Sequence, residues 1–191
     1  MMVVKLYFVT GNEHKLLEAR EVLKPYGFLV ERLRARKLEI QSDSLVEIVK
    51  VAVQSLGDVG VPVFVEDAGL FIGALNGFPG PYSAYVYRTI GVSGILKLME
   101  GVENRSAYFE SAVALRMPNG EVEVFVERVK GFISTEARGT GGFGFDPIFI
   151  PEGHTRTFAE MSLHEKNTLS HRAKALRSMA EWLKRKLRAI S

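Results

Sequence analysis

No cysteine occurs anywhere in the 191 residues, so neither a disulfide nor a thiolate metal site can contribute to this fold. That absence fits an intracellular, cytoplasmic setting. Histidine is scarce as well. His14, His154, His164 and His171 show no paired ligand spacing, which excludes a histidine-based zinc site. No apolar run approaches the roughly 18 residues of a membrane span, so none is expected. The opening Met-Met-Val-Val-Lys lacks the layout of a secretory signal. Internal repeats, low-complexity tracts and clear linkers are also missing. A single domain over residues 1–191, with at most two lobes sharing one core, is the simplest expectation.

What is present is ordinary globular chemistry, with 47% hydrophobic and 25% charged residues. The net charge of +3 is small but uneven, because the chain from Lys166 onward is rich in Lys and Arg and has one acid, Glu181. A basic tail of that kind could serve a nucleic acid. Against this, Leu169, Ala173, Leu176, Ala180, Leu183 and Leu187 recur at helical spacing and predict a packed helix with its charges on the solvated face. Nucleic acid is therefore set aside as a partner.

The pattern along the chain predicts a strand at Val3–Val9, a helix at Glu13–Lys24 closed by Gly27, and a strand at Phe28–Leu33. Ser44 and Glu47 have capping-box spacing before a helix carrying Leu45, Ile48, Ala52 and Leu56. Val61–Val65 reads as a short central strand, and "GALNGFPGPYS" as loop, followed by helical patterns at Ala84–Thr89 and Ser93–Met99. Two long strand-like runs, Ser106–Arg116 and Glu121–Lys130, flank Met117-Pro118-Asn119-Gly120, whose Asn-Gly signals a hairpin. An apolar run at Pro147–Ile150 and a terminal helix from Thr168 complete an α/β chain: a mixed sheet with flanking helices.

Four stretches carry candidate chemistry. In "FVTGNEHKLLEA" small polar residues and Lys15 stand where a strand hands over to a helix. The first amides of a helix are unpaired and its dipole is positive there, so Thr10-Gly11-Asn12 is either a plain cap or a phosphate seat. In "VFVEDAGLF" Glu66 and Asp67 follow a buried strand, where paired acids must be solvated, bonded or bound to a cation such as Mg²⁺. "RGTGGFGFDPIF" matches G-x-G-x-x-G, but no helix start follows, which rejects a dinucleotide reading. It offers instead an aromatic plane, Phe143 or Phe145, beside Asp146, on which a purine can stack unless both rings enter the core. In "SLHEKNTLSHRAKAL" Lys166 precedes the terminal helix, and His171 and Arg172 sit in its first turn. A cation there opposes the dipole, and an anionic or acceptor-rich neighbour would relieve it.

Taken together, "TGNEHK", "LEIQSDS", "VEDAGL", "GFPGPYSAY", "GGFGFDPIF" and "FAEMSLHEKNTLSHR" resemble the inosine triphosphate pyrophosphatase family, from Thr10 to Arg172. The resemblance implies a twisted mixed sheet in two lobes around a substrate cleft, a homodimer, and hydrolysis of aberrant purine nucleoside triphosphates (ITP, dITP, XTP) to the monophosphate and pyrophosphate. It also implies that Thr10, Gly11, Asn12, Glu13, His14 and Lys15 hold the triphosphate. Asp67 would be the catalytic proton acceptor, joined by Glu39 at a Mg²⁺ ion. Phe143, Gly144, Phe145, Asp146, Lys166, His171 and Arg172 would take base and phosphates. Two positions depart from bacterial relatives, which have Ser where this chain has Ala68 and Arg where it has Tyr85. Ala68 can therefore offer the substrate only its backbone.

The chemistry of that reaction agrees with these residue types. Attack at the α-phosphorus needs a carboxylate to take the water proton, and cations to stabilise developing charge. Donors from Arg172 and amides near Ser170 are expected to read the purine C6 oxygen, an acceptor that adenine lacks. A septum-associated pyrophosphatase is the alternative within the enzyme class, and "TGNEHK" and "SHR" speak against it.

Overall fold

The computed structural model describes residues 4–190. Val3, predicted as the first strand residue, lies outside them. The chain begins with β1 (Val4–Phe8), α1 (Glu13–Leu23) and β2 (Phe28–Arg32), with β1 and β2 parallel. Asn12 caps α1, and a 3-10 turn over Lys24–Tyr26 ends at Gly27, as the sequence predicts. Next comes α2 (Leu45–Ser55), capped by Ser44 Oγ, which accepts the Glu47 amide at 3.3 Å. The box is only half formed, because the Glu47 carboxylate accepts a hydrogen bond from Ser42 Oγ instead.

The central strand is the first clear departure from expectation. β3 runs from Val63 to Ile72, so Glu66 and Asp67 lie within it rather than after it. The backbone beyond Asp67 finds ladder partners in β4 (Pro79–Gly80), with Leu70 opposite Gly80 and Phe71 opposite Pro79. α3 (Ser83–Thr89) and α4 (Gly91–Leu98) follow, and then the long hairpin β5 (Ser106–Arg116) and β6 (Val122–Ile133). Gly120 takes φ +86°, which an L side chain resists, and its amide bonds Met117 O at 2.9 Å. β7 (Phe149–Pro151), α5 (Leu163–Leu169) and α6 (His171–Ile190) close the chain. The sheet order is β2-β1-β3-β5-β6-β7, with β4 beside β3, and it mixes parallel with antiparallel pairs.

A second departure is at the end of the chain. The helix predicted from Thr168 is two helices, broken at Ser170, whose ψ of 154° is extended. Leu169 consequently packs away from the stripe that continues in Ala173, Leu176, Ala180 and Leu183.

Contacts divide the chain into two compact units. The first comprises residues 1–67, 111–127 and 172–191. Its core joins Leu6, Phe8, Leu16, Leu23, Phe64, Leu115 and the buried stripe of α6. The second comprises residues 68–110 and 128–171, built around Leu70, Ile72, Ile95, Phe109, Phe149 and Phe158. At about 25 cal/mol per Å² of apolar burial, each such aromatic contributes a few kcal/mol. Both cores thus hold their polar residues on well-fixed backbone.

Candidate active site

In the first unit, Thr10 and Asn12 begin as a cap. Asn12 N–H donates to Thr10 Oγ1 at 3.1 Å, and Asn12 Oδ1 accepts the Lys15 amide at 3.2 Å. Gly11 is exposed, with open space where a Cβ would stand. Glu13 turns to Arg32 in an ion pair, and His14 is exposed. Beside the loop lies a cavity of about 500 Å³ lined by Thr10, Gly11, Arg34, Arg36, Lys37 and Glu39, among others. Glu39 is exposed and bonded to Lys37 Nζ at 2.6 Å.

The Lys15 ammonium reaches into β3, 2.9 Å from Glu66 Oε2 and 3.9 Å from Asp67 Oδ1. The Glu66 side chain is fully buried. Its Oε1 accepts from Ser111 Oγ at 2.7 Å and from Arg172 Nε at 3.0 Å, and Arg172 Nη1 bonds Glu18 Oε2 at 2.6 Å. Burial alone would raise the Glu66 pKa, but the charges of Arg172 and Lys15 and the hydrogen bonds from Lys15 and Ser111 outweigh it and hold it at about 2. Asp67 remains partly open, its side chain 32% exposed. The first turn of α6 therefore has its acceptors within the protein. Arg172 is committed to two carboxylates, and a base-reading role for its Nε and Nη1 is not what this arrangement provides.

In the second unit, Asp146 is buried and accepts the Phe143 amide at 2.9 Å and Lys166 Nζ at 2.6 Å. Lys166 Nζ lies 4.8 Å from the centre of the Phe143 ring, within cation–π range. The Gly-rich loop is shaped to allow this. Gly142 has φ +66°, and a Cβ there would overlap the Asp146 carboxylate. Of the two candidate rings, Phe145 enters the core edge-on to Tyr87 at 5.6 Å, leaving Phe143 as the partly exposed plane; Gly144 beside it is half-buried. His171 is not a surface histidine. It is buried and stacked on Phe109 with centroids 4.6 Å apart. Ala68 is half-buried on β3.

Two participants were missed from the sequence. Glu18 is an acid among the buried residues Leu16, Ala19 and Val22 of α1, a signal that was available. Ser111 is a lone hydroxyl at the head of the apolar run Ala112–Leu115, a weaker one.

A model of the Ham1 family matches residues 6–182. The chain belongs to the Ham1 family. Among its relatives is a protein of Thermococcus kodakarensis named dITP/XTP pyrophosphatase, 53% identical over 186 residues, which cover 97% of this chain and all of that one. A protein of Methanopyrus kandleri with the same name is 53% identical over 182 residues, covering 95% and 97% of the two chains. The structure of a HAM1 protein from Coxiella burnetii superposes with a TM-score of 0.83 at 29% identity, covering 95% of this chain and 99% of that one. The Ham1 fold, an α/β mixed sheet with flanking helices, is thus shared, and the resemblance drawn from the sequence motifs holds over nearly the whole chain.

Mg²⁺ is a hard cation that takes one or two carboxylates and completes its shell with water and phosphate oxygens. Glu66 does not fit that role, since its side chain is fully buried, with two donors on Oε1 and the Lys15 ammonium 2.9 Å from Oε2. Solvent reaches Asp67 and Glu39, with side chains 32% and 75% exposed, so each can offer an oxygen to such a cation, although Lys37 already stands on Glu39 Oε1. Among the described residues no group of three or more His, Cys, Asp or Glu forms a ready-made cage.

Proposed function

We propose that this Ham1-family chain hydrolyses non-canonical purine nucleoside triphosphates, ITP, dITP and XTP, to the monophosphate and pyrophosphate. The observation that carries the reading is a partly open carboxylate, Asp67, held beside Lys15 at the N-terminal turn of α1. The names of its relatives support the substrate class. Phosphates are bound by Lys15 and by the Thr10-Gly11-Asn12 loop, where Gly11 lets the backbone approach closely, with Glu13 and His14 flanking them. Asp67 takes the proton of the attacking water as its oxygen bonds to the α-phosphorus. The bridging α–β P–O bond breaks, and pyrophosphate leaves with the electron pair. A Mg²⁺ ion, held by Asp67 and Glu39, would neutralise phosphate oxygens. In the second unit a purine stacks on Phe143, whose ring centre lies 4.8 Å from Lys166 Nζ, and Gly144 and Ala68 offer backbone contacts. Asp146 acts through Lys166 and the Phe143 amide, Arg172 through Glu66, and His171 through its stack on Phe109.

The same family reading gives a homodimer that works in the cytoplasm. No described helix is long and apolar enough to cross a membrane. A nucleic-acid module is the weaker reading, because the apolar stripe of α6 is buried and the helix is not a free basic arm. The deciding experiment is a hydrolysis panel of ITP, XTP, dITP, GTP and ATP with Mg²⁺. Pyrophosphate release should be fastest from the first three. Release of orthophosphate, or equal rates on all five, would overturn the proposal.

A further inference from the structure

Glu66 has two cationic partners where one would neutralise it. Lys15 approaches Oε2 at 2.9 Å, while Arg172 and Ser111 share Oε1 at 3.0 and 2.7 Å. The two cations differ in freedom. The Arg172 side chain is 3% exposed and is tied through Nη1 to Glu18 as well. The Lys15 side chain is 17% exposed and stands in the first turn of α1, just past the Thr10-Gly11-Asn12 loop. An ammonium on a flexible stem changes partner by a rotamer change. A planar guanidinium bonded to two buried carboxylates gives up two ion pairs at once if it leaves.

We infer that Glu66 is a positioning residue that parks Lys15 and releases it to an incoming polyphosphate, while Arg172 and Ser111 remain as its counter-ion and donor. The inference rests on the phosphate-binding reading given above. Before the ligand arrives, the Lys15 charge is neutralised, so no bare cation is held against the positive end of α1. After release, Glu66 keeps both donors on Oε1 and is never an unpaired buried charge. The arrangement assigns the second cation a purpose: Arg172 makes the loan of Lys15 reversible.

The test is a calorimetric titration of inorganic pyrophosphate, in magnesium-free buffer, into wild type, Glu66→Gln and Glu18→Gln. Glu66→Gln removes the competitor for Lys15 and should bind pyrophosphate about tenfold more tightly, although its turnover falls. Glu18→Gln removes the same charge from the cluster but leaves the 2.9 Å partner of Lys15 in place, and should tighten binding by less than about threefold. Unchanged or weaker binding by a Glu66→Gln protein that melts cooperatively overturns the inference, and so does equal tightening in both variants. Should Glu66→Gln fail to fold, Ser111→Ala serves. With one donor fewer on Glu66, release of Lys15 becomes harder and pyrophosphate should bind about threefold more weakly. No change there also overturns the inference. Wild type that binds no pyrophosphate overturns the phosphate reading itself, and the parking role with it.

Discussion

Acid should unfold this protein partly through one residue, Glu66. Its folded pKa is about 2, against an ordinary value of 4.5, with Arg172 and Lys15 as the charges that hold it down. A carboxyl depressed in the folded state gives stability that is fully present above its unfolded pKa and is lost as the pH falls through the folded one. The window is therefore from about pH 4.5 down to about pH 2. At about 1.4 kcal/mol for each tenfold in proton affinity, Glu66 alone accounts for roughly 3 kcal/mol across that window. Guanidinium denaturation at a series of pH values measures it, with Glu66→Gln as the comparison. The amide cannot titrate, so the variant should lose about 3 kcal/mol less than wild type over the same interval, while being less stable than wild type at neutral pH. Parallel curves for the two proteins would refute the argument, since they would mean that Glu66 is not held as a buried, doubly paired carboxylate.

Three further outcomes are expected. Asp67→Asn should lower turnover about 10²- to 10⁴-fold with an unchanged circular dichroism spectrum, and a folded variant keeping more than about a tenth of the activity removes Asp67 from the mechanism. Arg172→Ala should lower the specificity constants for ITP and ATP alike and destabilise the fold by about 3–5 kcal/mol, because its Nε and Nη1 bond Glu66 and Glu18; a selective loss on ITP, measured as the ratio of the two constants, would restore a base-reading role. Gly142→Ala should raise KM for ITP at least about tenfold, since φ +66° and the Asp146 carboxylate leave no place for its Cβ; an unchanged KM would show that the loop reshapes freely.

Much of this was legible in the residues, and what was not has physical causes. The hairpin followed from Asn119-Gly120, and the burial of α6 from its apolar stripe, because both are local patterns with a fixed period or turn chemistry. β3 was read too short because two acids in mid-strand look like an exit to solvent. Only Lys15, Ser111 and Arg172 make Glu66 affordable inside. The role of Arg172 was hidden for a related reason. Its partner Glu18 lies 154 positions away, and no local pattern reports a pairing of that range. Phe143 and Phe145 were indistinguishable by type, and only burial within the second core sets Phe145 apart.

The break at Ser170 has a consequence for how this segment can change over time. In one unbroken helix, Lys166 and Arg172 would be fixed about 9 Å apart along the axis and about 240° apart around it. The extended Ser170 resets that phase, so that Lys166 serves Asp146 in one unit and Arg172 serves Glu66 in the other. The stretch between them is thus a counted spacer. Exposed Thr168 can be replaced by many polar residues, whereas a one-residue insertion between Lys166 and Leu169 would turn Leu169 by about 100° and take it off the second core. Substitutions should accumulate at such a position while insertions and deletions are purged: the length of the segment is inherited more strictly than its letters.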